Sequence, residues 1–183
     1  IRGNRDNTNV VRRSKLCRFG FSGTRHTRKA IIESEVVLQR HLVTAVAAPA
    51  QHQVIAAAAD GHRTFLLADE PGLGKTAQAL MAANVAHAFP LLVVVPNVVK
   101  TNWAREVQRW IPQRTSTVVH GDGENLDAFA DVVIVNYEIL DRHVGWLGRF
   151  GFKGMVVDEA HFIKNATSQR SRHVQAIAQS IRV

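Results

Sequence analysis

Two groups of residues in this sequence have the types and the spacing needed for phosphate chemistry. The first is Gly72-Leu73-Gly74-Lys75-Thr76, which follows a short apolar run and precedes an alanine-rich stretch of helix-forming residues. Glycines let backbone N–H groups curl around an anion, the start of a helix adds partial positive charge, and Lys75 brings a full charge to the terminal phosphates. The Thr76 hydroxyl is a ligand for Mg²⁺. These residues predict a loop that binds a nucleotide.

The strict phosphate-loop pattern, G-x-x-x-x-G-K-[ST], is not met, because Asp69 stands where its first glycine belongs. A tight turn with an incidental Gly-Lys-Thr is the alternative. The strand pattern before the loop and the helix pattern after it favour the phosphate-binding interpretation.

The second group is an acidic pair, Asp158 and Glu159, at the end of the apolar run Gly154–Val157. Phosphoryl transfer needs one carboxylate that holds Mg²⁺ and another that orients or deprotonates the attacking water, and we assign these roles to Asp158 and Glu159 respectively. His161 is a candidate for coupling the nucleotide to another surface. A cluster of charges at a helix start is the alternative.

Short apolar runs alternate with helical patterns along most of the chain, which predicts an α/β fold. Continuous apolar strands are typical of a parallel sheet that is covered by helices on both faces. In such a sheet the loops at the carboxyl ends of the strands meet at one edge, which would bring the two groups together. The strands are expected at 64–68, 91–95, 115–119, 131–135 and 155–157, and the helices near 75–88, 98–110 and 167–181.

Basic residues are concentrated near the N-terminus. Residues 1–30 contain nine of the 23 basic side chains and one of the 15 acidic side chains, so most of the net charge of +8 lies there. Such an arm attracts polyanions without reading a base sequence, and Arg12, Arg13 and Lys15 are candidate phosphate contacts. A solvated leader is the alternative. Residues 31–46 have a helical or strand-helix pattern that ends before Pro49.

Several classes of protein are excluded by composition. A chain of 183 residues with 46% hydrophobic and 21% charged residues is typical of one folded domain. The single cysteine excludes an internal disulfide, and the histidines show no metal-ligand spacing. No apolar run approaches the ~20 residues of a membrane helix, so we expect no membrane partner. A reducing compartment follows from the cysteine usage.

The motifs together resemble the first motor lobe of a superfamily-two helicase, specifically the SWI/SNF-type DNA translocases, in which an aspartate replaces the first loop glycine. The resemblance covers residues 49–183 and rests on motifs that occur in the family's order: Asp69–Thr76, Val94–Pro96 with Asn102, Trp103, Glu106 and Trp110, Val119–Gly121, Asp131–Glu138 and Val157–Asn165. It implies a P-loop NTPase lobe of the RecA-like kind, with ATP and Mg²⁺ as cofactors and double-stranded DNA as partner.

The resemblance also implies further site residues. Gln53, in the segment Pro49–Gln53, is the candidate for recognising adenine, with Gln51 as the competitor and a plain helix-surface glutamine as the alternative. Loops at strand ends are expected on one DNA backbone, through Asn97, Lys100, Asn136 and Tyr137, although Lys100 could equally be a solvated lysine. Trp103 and Trp110 recur at helical spacing, which favours core packing over base stacking.

Residues 1–46 are therefore expected to form a basic arm and an unassigned accessory segment, and residues 47–183 a RecA-like ATPase lobe that ends before the family's third motif. A second RecA-like lobe, normally the source of transition-state arginines, is expected elsewhere in the protein, so residues 1–183 alone should hydrolyse ATP poorly. The alternatives are an ATPase that acts on RNA polymerase or RNA complexes, and a non-catalytic nucleic-acid-binding scaffold. The expected location is the cytoplasm or nucleoid of a prokaryotic or phage-infected cell, or a nucleus.

Overall fold

The computed structural model describes residues 15–19, 49–68 and 74–181. Within these ranges the elements follow in the order β1 (Lys15–Phe19), α1 (Pro49–Ala59), β2 (Thr64–Leu67), α2 (Lys75–Val85), β3 (Leu91–Val95), α3 (Lys100–Trp110), β4 (Ser116–Val118), β5 (Val132–Asn136), α4 (Leu140–Leu147), β6 (Gly154–Val157) and α5 (Gln169–Ser180). Short 3₁₀ helices precede α3 and α4 and follow β6, at Asn97–Val99, Tyr137–Ile139 and Ala160–Ile163.

Four neighbouring strands, in the order β6-β3-β5-β4, form a parallel sheet. In β3, β5 and β6 every residue is buried, as expected when both faces of a sheet are covered. In the register Leu91 lies opposite Val132 on one side and Gly154 on the other. The prediction of a mostly parallel α/β fold is confirmed.

Successive residues of β3 enter two different cores, because side chains alternate across a strand. Leu91 and Val93 pack with Leu80 of α2 and Trp103 of α3 on one face. On the other face, Leu92 and Val94 pack with residues of α4 and α5, among them Leu140 and Ile177. The predicted helices on both faces are therefore present.

Strand β1 was not predicted and comes from the basic N-terminal arm. It lies between β2 and β6 and is antiparallel to both, so β2 and β6 run in the same direction. At one end of β1, Lys15 pairs with Leu67 and Leu16 pairs with Val157. The carboxyl ends of β2 and β6 therefore lie at the same edge of the sheet.

The predicted strands and helices within the described ranges are found with ends shifted by up to three residues. Helix α4 was not predicted, and the pattern at 31–46 lies outside the described residues. Among the described helices none is long and apolar enough to cross a bilayer.

Candidate nucleotide-binding site

Strands β2 and β6, which precede the lysine loop and the acidic pair in the chain, end at the same edge of the sheet. Only β1 separates these strands, and two strand spacings amount to about 10 Å. The ends of these strands, Leu67 and Val157, are therefore neighbours across β1, although they are far apart in the chain. We call Gly74, Lys75 and Thr76 the lysine corner, and Asp158 and Glu159 the acid corner.

The lysine corner is the start of α2. Gly74 adopts a left-handed conformation, with φ of 67°, and Lys75 is the first helical residue. Gly74 makes no side-chain capping bond and the first turn contains no acid, so the positive end of the helix dipole favours an anion. Lys75 is only 7% exposed. Gly72 and Leu73 lie outside the described residues.

Small side chains let α2 lie close to the rest of the lobe. Its alanines from Ala77 to Ala83 are buried, and Met81 and Val85 pack on Ile55 of α1. Because alanine side chains are short, a buried helix face made of alanines lets the helix axis lie close to the sheet. The position of Lys75 is therefore determined by a tightly packed helix.

The acid corner is held by hydrogen bonds from three different parts of the fold. The backbone N–H of Asp158 donates to Val94 O (2.8 Å), which extends the pairing of β6 with β3. Its carboxylate accepts from Trp103 Nε1 at Oδ2 (2.7 Å) and from the backbone N–H of Glu159 at Oδ1 (2.9 Å). The Tyr137 hydroxyl donates to the carbonyl of Asp158 (2.6 Å). Both the backbone and the carboxylate of Asp158 have fixed orientations.

Glu159 has an uncommon backbone conformation for a residue with a side chain. Its φ of 52° and ψ of 53° are left-handed, and such local strain tends to occur where function requires it. Its Oε2 lies 3.3 Å from Nδ1 of His161, which is partly exposed. His161 is thus in contact with the predicted water-orienting carboxylate, as a coupling residue would need to be, and its coupling role stays a prediction.

Tyr137 is a buried hydrogen-bond donor rather than a surface residue. Its ring stacks on Phe162 with 5.4 Å between centroids, and only 3% of the residue is exposed. Burial first, and then the nearby Asp158 carboxylate, raise the pKa of the Tyr137 hydroxyl far above its usual range. The phenol therefore keeps its proton, and its bond to Asp158, at all physiological pH values.

The described residues fit a nucleotide with Mg²⁺. Asp158 is 8% exposed, and a carboxylate with a fixed orientation at the end of a strand has the chemistry that Mg²⁺ prefers in its ligands. An uncapped helix start with a lysine suits phosphate. In the described part of the chain no group of three or more His, Cys, Asp or Glu side chains is placed to hold a metal by itself, so a metal here would share its ligands with phosphate.

The candidate for adenine recognition lies on α1. Gln53 is exposed, whereas the neighbouring Val54 and Ile55 pack into the lobe. The side chain of Gln51 lies outside the described residues. Recognition of adenine by Gln53 stays a prediction.

Three of the four predicted DNA contacts in the lobe are buried, and the DNA role of all four stays a prediction. Lys100 is 6% exposed and its Nζ donates to Val119 O (3.0 Å), so it is not a solvated lysine, and burial lowers its pKa. Asn136 is buried with its amide on Glu138 Oε2 (2.7 Å), and Tyr137 is buried as described above. Burial disfavours a DNA contact for these three side chains. Asn97 is exposed.

Contacts predicted for the basic arm are only partly within the described residues. Lys15 lies in β1 opposite Leu67, at the edge where β2 and β6 end. Arg12 and Arg13 lie outside the described residues. All three stay predictions.

Trp103 is the functional candidate that sequence reasoning missed. Core packing was predicted and is confirmed, since only 1% of the residue is exposed and it belongs to the core beneath α2 and α3. Its indole N–H nevertheless reaches Asp158, 55 positions away. The available signal was chemical, because a buried indole requires an acceptor, but spacing alone could not identify which one.

Comparison with known proteins identifies first the class and then the family. The structure resembles the Sulfolobus solfataricus SWI2/SNF2 ATPase core in complex with dsDNA, with a TM-score of 0.54 and 30% sequence identity over 59% of this chain and 24% of that chain. The fold is thus that of a RecA-like lobe. The sequence model of the SNF2-related domain matches residues 34–183. This chain belongs to the SNF2-related domain family.

Named relatives agree with this membership. The chain is 36% identical over 124 residues to the ISWI chromatin-remodeling complex ATPase ISW2 of Saccharomyces cerevisiae. It is 38% identical over 113 residues to the SWI/SNF-related matrix-associated actin-dependent regulator of chromatin subfamily A-like protein 1 of Bos taurus. These matches cover about 60% of this chain but only 11% and 12% of the relatives, so the chain spans about a tenth of their length.

Proposed function

We propose that this chain is the nucleotide-binding lobe of an ATP-driven motor that translocates on double-stranded DNA. The observation that carries the proposal is that β2 and β6, which precede the lysine corner and the acid corner in the chain, end at the same edge of the sheet. Family membership and the dsDNA bound to the similar Sulfolobus core support the choice of ATP and duplex DNA.

Each corner has a distinct part in the proposed reaction. Lys75 and the N–H groups at the start of α2 bind the phosphates, and Thr76 and Asp158 hold Mg²⁺. Mg²⁺ held by these residues would supply positive charge to the phosphate oxygens. Glu159 orients the attacking water and accepts its proton, and the contact with His161 restrains the Glu159 carboxylate.

Efficient turnover also requires groups that the described residues do not supply. We propose that arginines from a second RecA-like lobe of the same protein stabilise transition-state charge. Loss of such an arginine costs roughly 10³–10⁵ in rate. Residues 1–183 alone are therefore expected to bind nucleotide weakly and to hydrolyse it slowly, and the basic arm is proposed to add phosphate contacts along DNA.

Substitution of one charged residue at each corner of the full-length protein tests the proposal. Lys75→Ala and Glu159→Gln are each expected to lower DNA-stimulated ATP hydrolysis at least about 100-fold, because one removes a phosphate contact and the other the water-orienting charge. The matched controls, Lys153→Ala and Glu124→Gln, change exposed residues remote from both corners and should leave turnover unchanged.

The nucleic acid used in the assay separates the competing functions. Stimulation by duplex DNA above single strands and RNA supports translocation on DNA, whereas preferential stimulation by RNA or RNA polymerase would favour the remodelling alternative. DNA-dependent activity in cells that survives both corner substitutions would favour a non-catalytic scaffold.

A further inference from the structure

The hydrogen bond between Trp103 and Asp158 joins the middle of α3 to the end of β6. The Nε1 to Oδ2 distance is 2.7 Å, and both residues are at least nine-tenths buried. The indole ring is fixed by the core around it, so its N–H has one direction. A donor with a fixed direction constrains the rotation of the carboxylate that it binds.

The two oxygens of Asp158 are restrained independently. Oδ1 accepts from the adjacent Glu159 N–H, a local contact within the turn, whereas Oδ2 depends on a residue of another helix. A hydrogen bond to an ionised carboxylate is about twice as strong as a neutral one. Two fixed donors define the carboxylate plane, and the remaining lone pairs then point in set directions.

Trp110, on the same helix, shows that the N–H of an indole can find an acceptor without reaching the sheet. Trp110 Nε1 donates to Glu106 Oε2 (2.6 Å), one turn earlier on α3. That bond satisfies the indole without linking α3 to the sheet. Trp103 instead uses the predicted metal-binding carboxylate, which points to a role beyond its own burial.

We propose that Trp103 is a positioning residue for Asp158 and sets the orientation in which this carboxylate receives Mg²⁺. The inference rests on the proposed function, because it assumes that Asp158 binds the metal that accompanies ATP. Groups that orient a metal ligand through hydrogen bonds typically alter metal affinity by 10- to 100-fold when they are removed.

The test is Trp103→Phe in the full-length protein, with Trp110→Phe as the matched control. Binding of Mn²⁺ together with a non-hydrolysable ATP analogue is followed by electron paramagnetic resonance, and analogue binding in excess EDTA is measured separately. Trp103→Phe is expected to weaken Mn²⁺ binding at least tenfold and to leave metal-free analogue binding within about twofold. Trp110→Phe, which also removes an indole bond to a carboxylate, should change neither.

A general loss of packing would lower metal-free binding as well, so the ratio of the two affinities distinguishes positioning from structural support. If the folded Trp103→Phe protein binds Mn²⁺ as the wild type does, the inference is wrong and the proposed function stands. If the wild-type protein shows no metal-dependent nucleotide binding, the proposed function itself fails.

A measurement on the wild-type protein covers the case in which Trp103→Phe does not fold. With ¹⁵N-labelled indoles, Mg²⁺ and the analogue should shift the Nε1–H resonance of Trp103 and leave that of Trp110 in place. The Trp110 resonance is assigned from Trp110→Phe. An unshifted Trp103 resonance at saturating metal would overturn the inference.

Discussion

The lysine corner and the acid corner are built in opposite ways. The lysine corner depends on consecutive residues, because Gly74 turns the chain and Lys75 begins the helix that presents it. The acid corner depends on contacts with remote segments, since Trp103 and Tyr137 both donate to Asp158. The first corner is therefore one continuous stretch of chain on a packed helix, whereas the second is held by residues that only the assembled sheet brings together.

This difference predicts that the two corners respond differently to loss of a single polar group. At the lysine corner Thr76→Val, which keeps the shape of the side chain, should lower Mg²⁺-dependent ATP hydrolysis at least about tenfold, because it removes the proposed metal ligand.

Thr76→Ser is the control for this prediction, because it retains the hydroxyl and should retain most of the activity. Equal activity of the valine and serine variants would contradict the metal role of Thr76.

Gly154 begins β6, at the opposite end from the acid corner, and tests how closely this strand is packed against its neighbours. A Cβ added at Gly154 would come within 2.9 Å of Ala88 Cβ, Ala88 O and Leu91 Cδ1. Gly154→Ala must displace backbone as well as side chains, so it should lower the free energy of unfolding by about 1–3 kcal/mol. Urea denaturation measures the change.

Gly145→Ala is the matched control. Gly145 lies within α4, where an added Cβ meets nothing within 4 Å, so alanine should raise the free energy of unfolding by about 0.5–1 kcal/mol. Similar effects at Gly145 and Gly154 would show that β6 is not packed as closely as the structure indicates.

The smallest expected effect concerns the phenol that holds the backbone of Asp158. Tyr137→Phe should lower the free energy of unfolding at neutral pH by about 1 kcal/mol, because it removes one buried hydrogen bond. The raised pKa means that the folded state favours the neutral phenol, so its contribution is present below the ordinary pKa of 10.0 and is lost as the pH rises above it.

The chain contains a single tyrosine, so its ultraviolet titration reports on Tyr137 alone. In the full-length protein, the difference spectrum between wild type and Tyr137→Phe isolates this signal. No tyrosinate should form before the lobe unfolds, and the variant should lose less stability than the wild type as the pH rises above 10. Ordinary titration of Tyr137 in the folded protein would show that its hydroxyl is not buried against Asp158.

The predicted features that the structure confirms are those encoded over short stretches. Continuous apolar runs such as Leu91–Val95 predicted the buried parallel strands, because only a sheet covered on both faces accommodates them. Helix α4 was missed because its eight residues are fewer than the 11 or more over which helical periodicity is read. Strand β1 was missed because the charges of the arm dominate its sequence.

By itself the sequence determined the fold class, the family resemblance and the residue types of both corners, since these depend on local composition and order. Only the tertiary structure decided that β1 lies between β2 and β6, that Lys100 is buried, and that the indole of Trp103 meets Asp158. Those outcomes depend on which buried polar groups become neighbours after packing, and a donor 55 positions from its acceptor leaves no periodic trace in the chain.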